Sequence, residues 1–314
     1  MKEVIDLVKN GETGTKKEAI LVAPSATLVS HSRTNRTKPE QKVSEVYKGI
    51  IAGAVARAYE RGVNLTVLSP EEYHDPDEHL GLLEKANEIN ADYIITPFTL
   101  VESPREKKFL DILSSSDSRK IAVNVPANQR AIQRLGNKYI GYTGMEETYA
   151  GTMIAEQLLL STGMTPGRII VLEHERKEEH YALALRFEGI KRIAERYGCS
   201  VESLYVGTEK QQVMLPTDEK YYVVYLGIRG YEAALSINPD QILGLAGVDL
   251  NSQMANDILN LKVNCTVVQS PFYQGRFAID MMFEPPQENP LFWGCGPRLV
   301  NFCNVRVENQ GDSK

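Results

Sequence analysis

The sequence predicts an α/β protein built on two consecutive doubly wound parallel sheets. Three observations carry that expectation. Short apolar runs alternate with stretches of helical period, the pattern of right-handed βαβ units. The alternation restarts near residue 138, after a first set of four apolar runs and three helical stretches. The 314 residues fit two domains of roughly 100–200 residues each.

The first apolar run is 18–23, stopped by Pro24-Ser25, and a polar loop follows over 26–41. Val46, Ile50, Ile51, Ala54, Val55, Ala58 and Tyr59 then recur at helical spacing, and Gly62 ends the helix as a left-handed cap. The pattern continues as strand 64–68, helix 76–90, strand 92–98, helix 105–113 and strand 120–125. The second set opens with strand 138–142 and helix 146–160, which aligns Ala150, Ile154 and Leu158. Strand 168–172 precedes helix 181–197, with Leu183, Phe187, Ile190, Ala194 and Tyr197 on one face and Gly198 as its stop. Strand 201–206, a polar loop over 207–218, strand 221–226 and a short helix 230–237 come next. Strand 241–248, helix 251–261, strand 264–269 and helix 272–283 follow. Pro285, Pro286 and Pro290 make 284–290 a connector, and 299–307 reads as a closing strand.

Composition narrows the function. Charged residues at 24% and hydrophobic residues at 42% are ordinary for a globular protein. The 35 Lys and Arg against 41 Asp and Glu leave a net charge of −6, without the basic surplus of a nucleic-acid binder. No apolar run approaches the roughly 20 residues that cross a bilayer, so direct membrane insertion is not expected. Residues 1–10 carry Lys2, Glu3, Asp6 and Lys9 and show no apolar core of a signal peptide. Cys199, Cys265, Cys295 and Cys303 form no C-x-x-C pair and read as small buried apolar residues.

The chemistry-bearing residues lie where loops leave strands. Gly11-Glu-Thr-Gly-Thr-Lys16-Lys17 fails the phosphate-loop spacing and follows no strand. Gly294-Cys-Gly296 lacks the third glycine of a dinucleotide fingerprint. In His174-Glu175-Arg176-Lys-Glu-Glu179-His180 the histidines are six apart, which fits no zincin pattern. That cluster lies after a strand and before a helix, where α/β sheets present ligand loops. A solvated charged loop is the plainer reading for most of it, with Arg176 and His180 as candidate contacts. Ser25, Thr27 and His31 fall in the first polar loop, whose hydroxyls and amides suit a small polar ligand. His74 and His79 flank Pro76 and read as surface residues.

Asp249 follows an apolar strand and precedes a helix, as either a carboxylate for ligand hydroxyls or a cap near Asn251. Gln269 ends a strand before Pro271, as either a ligand amide or a solvated strand end. The pairs Glu146-Glu147 and Glu178-Glu179 are sequential, so on a helix they do not face each other. No nucleophile–base–orienter set is visible. The expectation is therefore a binding protein and not an enzyme, with no cofactor or metal.

Several runs in order resemble the type I periplasmic-binding-protein superfamily. It includes ribose- and galactose-binding proteins and the effector domains of lactose-repressor-type regulators. The runs are Lys120-Ile-Ala-Val-Asn124-Val125, Tyr139 to Gly151 with its Glu146-Glu147 dipeptide, Gly167-Arg-Ile-Ile-Val-Leu172, Ala184-Leu-Arg186-Phe-Glu-Gly189-Ile190, Asn238 to Asp249, and Val263 to Gly275. The likeness spans about 18–307. It implies two lobes, 1–130 with 268–290 and 131–267 with 291–314, around a ligand cleft. It also implies a three-segment hinge at 125–137, 265–270 and 291–299. Asp249 and Gln269 would contact the ligand. Asn124 falls where sugar binders often carry Asp, Val125 where they often carry Arg, and Ala184 where many carry a ligand-binding Arg. Glu146 opens the second lobe, the 225–229 region with Arg229 reaches the cleft, and Phe272 can stack on a ligand face.

The function so implied is closure around a small polar ligand, a sugar or sugar derivative, for uptake or signalling. The partner would be a membrane permease or receptor, the state a monomer. The place would be outside the cytoplasm if an export signal precedes this sequence, or the cytoplasm if Met1 is the native start. The alternatives are the effector-sensing domain of a transcription regulator, for which 1–17 is too short to hold a helix-turn-helix, and an enzyme using the same cleft.

Overall fold

The structure is a computed structural model that describes residues 5–6, 17–23, 45–69, 76–173, 180–206, 213–287 and 292–305. The chain divides into two compact units, Met1–Gly144 with Ser270–Cys295 and Met145–Gln269 with Gly296–Lys314.

The first segment carries β1 (Ile5–Asp6), β2 (Glu18–Val22), α1 (Glu45–Arg61), β3 (Asn64–Leu68), α2 (Pro76–Ile89), β4 (Tyr93–Thr96), α3 (Glu106–Ser115), β5 (Arg119–Val123), α4 (Gln129–Leu135) and β6 (Tyr139–Gly144). The second unit follows with α5 (Glu147–Ser161), β7 (Arg168–Glu173), α6 (Tyr181–Arg196), β8 (Ser200–Tyr205), β9 (Tyr221–Leu226), α7 (Ile228–Ala234), β10 (Ile242–Val248), α8 (Ser252–Leu259) and β11 (Cys265–Val268). The chain then returns to the first unit as α9 (Pro271–Asp280) and β12 (Phe292–Gly294), and ends in the second as β13 (Arg298–Asn301).

The first unit's sheet has the order β1-β3-β2-β4-β5-β6-β12, the second's β13-β11-β10-β9-β7-β8. Each is parallel except at one edge, where β1 runs antiparallel to β3 and β13 antiparallel to β11. The central strands are apolar throughout, as strands covered on both faces must be: β4 and β9 are buried along their full length.

Several expectations need correction. The strand 138–142 opens no second sheet. As β6 it pairs with β5 and β12 inside the first. Residues 125–137 are therefore no crossing; they hold α4, a short link between neighbouring strands. The chain passes between units after Gly144, Gln269 and Cys295; the last two lie inside the expected segments 265–270 and 291–299, and the first lies at Gly144 and not near 130. Residues 291–295 stay with the first unit because β12 finds its partner in β6. The closing strand ends at Asn301, where Asn304 turns the chain by accepting the Asn301 N–H. His79 is buried, not on the surface: Nε2 lies 3.1 Å from Thr96 Oγ1, and Phe109 packs on the ring.

Glycines set the helix packing. A Cβ on Gly151 of α5 would overlap the carbonyl of Arg186, and one on Gly189 of α6 that of Thr148. The first unit repeats the arrangement: Gly53 of α1 meets the Phe272 carbonyl, and Gly275 of α9 meets that of Ile50. The α1–α9 pair is also clamped by Arg57 to Asp280 at 2.8 Å and Arg276 to Glu60 at 2.8 Å. Cys199, Cys265 and Cys295 are buried free thiols, whereas Cys303 is exposed.

At the foot of the first sheet, Lys120 donates to the Ser116 carbonyl at 3.2 Å and the Ser118 carbonyl at 2.5 Å. Lys138 donates to the Ser114 and Ser116 carbonyls, so two cations cap the last turn of α3. Burial, and then the charge of Lys138, push Lys120 down to about 8.

Two measurements check these points. Gly189→Ala should cost roughly 1–3 kcal/mol through overpacking. Gly81→Ala in α2, where a Cβ meets nothing within 4 Å, should gain about 0.5–1 kcal/mol from helix propensity. Denaturant unfolding of both variants reads the contrast, and equal effects would contradict the packing account. Second, the unfolded chain holds the Lys120 proton up to the ordinary 10.5, the folded chain only to about 8. Stability from this group therefore rises with pH across that window. The stability difference between wild type and Lys120→Met should move in the wild type's favour between pH 7 and 10.

Candidate functional site

In the second unit, β10 and β11 run side by side with Val248 opposite Val267. Just past their carboxyl ends lie Asp249 and Gln269, the rim at which open parallel sheets bind ligands. Gln269 Nε2 donates to Asp249 Oδ1 at 2.8 Å, a charge-assisted bond that fixes the carboxylate. Asp249 itself adopts φ 75°, the left-handed conformation. Its N–H donates to the Val267 carbonyl at 2.9 Å, and its carbonyl accepts from Thr266 Oγ1 at 2.6 Å. The cap of α8 is Asn251, whose side chain accepts the Met254 N–H. Asp249 is thus not that cap, and its carboxylate is held by an amide that is itself buried.

The start of α5 lies near this pair. Glu146 is exposed and caps α5 by accepting the Tyr149 N–H, so part of its carboxylate is committed to the helix. Glu147 is fully buried against Arg186, with Nε 2.5 Å from Oε2. Burial raises its pKa against the pull of Arg186, and the charges of Glu146 and Asp249 add to the rise. This pair joins α5 to α6 beside the Gly151 and Gly189 contacts. His180 stands at the N-cap of α6 and Arg229 in the first turn of α7, both half-buried. Tyr225 does not reach the surface: its ring packs edge-on to Tyr231 and against Gly247, and burial pushes its phenol far up.

In the first unit, Asn124 follows β5 with φ 65°. Its N–H donates to the Thr143 carbonyl at 3.1 Å, and its carbonyl accepts from the Tyr142 hydroxyl at 3.0 Å. Asn124 Nδ2 lies 3.5 Å from Oε1 of the buried Gln274. Phe272 is exposed in the first turn of α9, edge-on to Tyr273, with the Arg276 guanidinium 5.9 Å from its ring centre. Ser25, Thr27, His31 and Arg176 lie outside the described residues, as does His74.

The structure therefore brings Asp249 and Gln269 into direct contact, places Glu146 nearby, and sets Asn124 on a matching turn of the other unit. Thr266, Tyr142 and Gln274 were not singled out from the sequence. The available signals were a hydroxyl inside the apolar strand 265–268 and a glutamine on the buried face of α9. Among the described residues no group of three His, Cys, Asp or Glu is placed to hold a metal ion. No helix among them is long and apolar enough to cross a membrane.

No protein-family pattern matches the sequence. No curated protein matches it either. Solved structures do match. GanP, a glucose-galactose binding protein from Geobacillus stearothermophilus, is 17% identical with a TM-score of 0.71, over 93% of this chain and 99% of that one. The chain has the type I periplasmic-binding-protein fold. A periplasmic sugar binding protein of an ABC sugar transporter from Legionella pneumophila has the same fold at 19% identity and TM-score 0.67, covering 90% of this chain and 100% of its own. So does a carbohydrate transporter from Acidothermus cellulolyticus 11B in complex with myo-inositol, at 18% identity and TM-score 0.66, covering 94% and 97%.

The buried ion pair of this periplasmic-binding-protein fold is open to test. Arg186→Leu should cost roughly 3–5 kcal/mol by leaving Glu147 buried without its partner. Adding Glu147→Leu should recover much of the loss. Equilibrium unfolding of the two singles and the double decides it, and additive losses would contradict the pairing.

Proposed function

We propose that the protein is a solute-binding protein for a neutral sugar or cyclic polyol, which it holds for uptake or signalling. The observation that carries this reading is the Asp249–Gln269 pair. A carboxylate held by a buried amide at a parallel-sheet rim accepts hydroxyl hydrogen bonds in a fixed direction, which suits a polyhydroxylated ligand. Asn124 is the first unit's candidate contact, able to donate and accept at once. The ligands and roles named for the structural neighbours point the same way: glucose-galactose binding, myo-inositol, D-allose and D-arabinose. On this reading the protein acts by binding and not by turnover. It works as a monomer outside the cytoplasm and delivers its ligand or its signal to a membrane permease or receptor.

Calorimetry against D-glucose, D-galactose, D-allose, D-arabinose and myo-inositol tests the proposal. At least one should bind. Asp249→Ala should weaken that binding by about 1.5–3 kcal/mol, the worth of a hydrogen bond to a charged group, with the circular dichroism unchanged. Absence of binding across the panel would count against a sugar ligand. Unchanged affinity in Asp249→Ala would remove that carboxylate from the site.

A further inference from the structure

The residues just past β5 and β10, Asn124 and Asp249, share one backbone arrangement. Each is a non-glycine residue in the left-handed region, at φ 65° and 75°. Each donates its N–H to a carbonyl of the neighbouring strand, Thr143 or Val267. Each has its own carbonyl bonded by a hydroxyl from the residue before that acceptor, Tyr142 or Thr266. Each side chain meets a buried glutamine, Gln274 or Gln269.

Asn and Asp are the non-glycine residues best able to adopt positive φ, so the turn is open to both, and a bond to each carbonyl selects it over an extended backbone. Thr266 is fully buried in a parallel strand, where valine is the ordinary residue and a hydroxyl is costly unless bonded. Its hydroxyl lies 2.6 Å from the Asp249 carbonyl and 3.0 Å from that of Gly247. Tyr142 is also buried, stacked on Phe292 with ring centres 5.3 Å apart. A phenylalanine would keep that stack and remove the hydroxyl that bonds the Asn124 carbonyl.

We propose that Thr266 and Tyr142 are positioning residues: each hydroxyl holds the left-handed turn that presents the ligand-binding side chain of its unit, Asp249 or Asn124. The inference rests on the sugar-binding reading for its functional consequence and on the turn geometry alone for its structural one. Neither hydroxyl touches the ligand. Both act through the backbone of the residue that does.

The test uses the full chain with Thr266→Val, Thr266→Ser and Tyr142→Phe. Crystal structures of the variants read the φ of Asp249 and Asn124 directly, whatever the ligand. Calorimetry with the same five sugars reads the consequence. Thr266→Val and Tyr142→Phe should each weaken binding about five- to tenfold, the worth of one net hydrogen bond. Thr266→Ser should restore affinity to within about twofold. In an Asp249→Ala background, Thr266→Val should add no further loss, a result that a general loss of stability would not give. Asp249 at positive φ in Thr266→Val, with its carboxylate in place, would overturn the inference. So would wild-type affinity in either Thr266→Val or Tyr142→Phe. Failure of the wild type to bind any of the sugars would instead fall on the functional reading, with the crystal structures still deciding the turn.

Discussion

Close helix approach is the constraint on which both units stand. In each, two helices come so near that a backbone carbonyl of one occupies the space a Cβ of the other would need, and the contact is reciprocal. Gly151 and Gly189 do this for α5 and α6, Gly53 and Gly275 for α1 and α9. The contact fixes more than spacing. The α5–α6 approach brings Arg186 onto Glu147 at the start of α5, and the α1–α9 approach brings Arg57 and Arg276 onto Asp280 and Glu60. Charged pairs of this kind need a set distance, and only the missing side chains provide it.

The helices in turn set where the rims begin. α9 leaves Ser270 at φ 48° and delivers Gln274 to Asn124, while α5 delivers Glu147 to the neighbourhood of Asp249. Asn124, Asp249 and Ser270, past β5, β10 and β11, are all at positive φ, as are Asn90, Glu102, Met164 and Leu261 elsewhere among the described residues. The alternative role for Asp249, a helix cap, is filled by Asn251.

The polar groups of the candidate site are themselves held by hydrogen bonds. Asp249 accepts from Gln269, and Glu146 accepts from a helix N–H. Tyr225 and the buried thiols Cys265 and Cys295 are pushed up by burial, away from the range where they would react as anions. On the proposed reading, neutral amides and one oriented carboxylate discriminate among hydroxyl patterns through direction, which a flexible or solvated group cannot do.

The amino-acid order by itself determined the alternation of strands and helices, because period 2 and period 3.6 burial is written in local sequence. It also marked Asp249 and Gln269, since a polar residue at the end of an apolar strand is a local signal. Tertiary structure decided which sheet a strand joins. β6 reads like any apolar strand, and only its pairing with β5 and β12 assigns it to the first unit. The three-residue β12 and seven-residue α4 were too short to show a period. His79 looked like a surface residue beside a proline, yet it is buried because Thr96 and Thr99, 17 and 20 residues away, supply its polar neighbours. Thr266 and Gln274 were illegible for the same reason. A hydroxyl or amide inside an apolar segment acquires its meaning from the acceptor it meets, and that acceptor lies on another strand or helix.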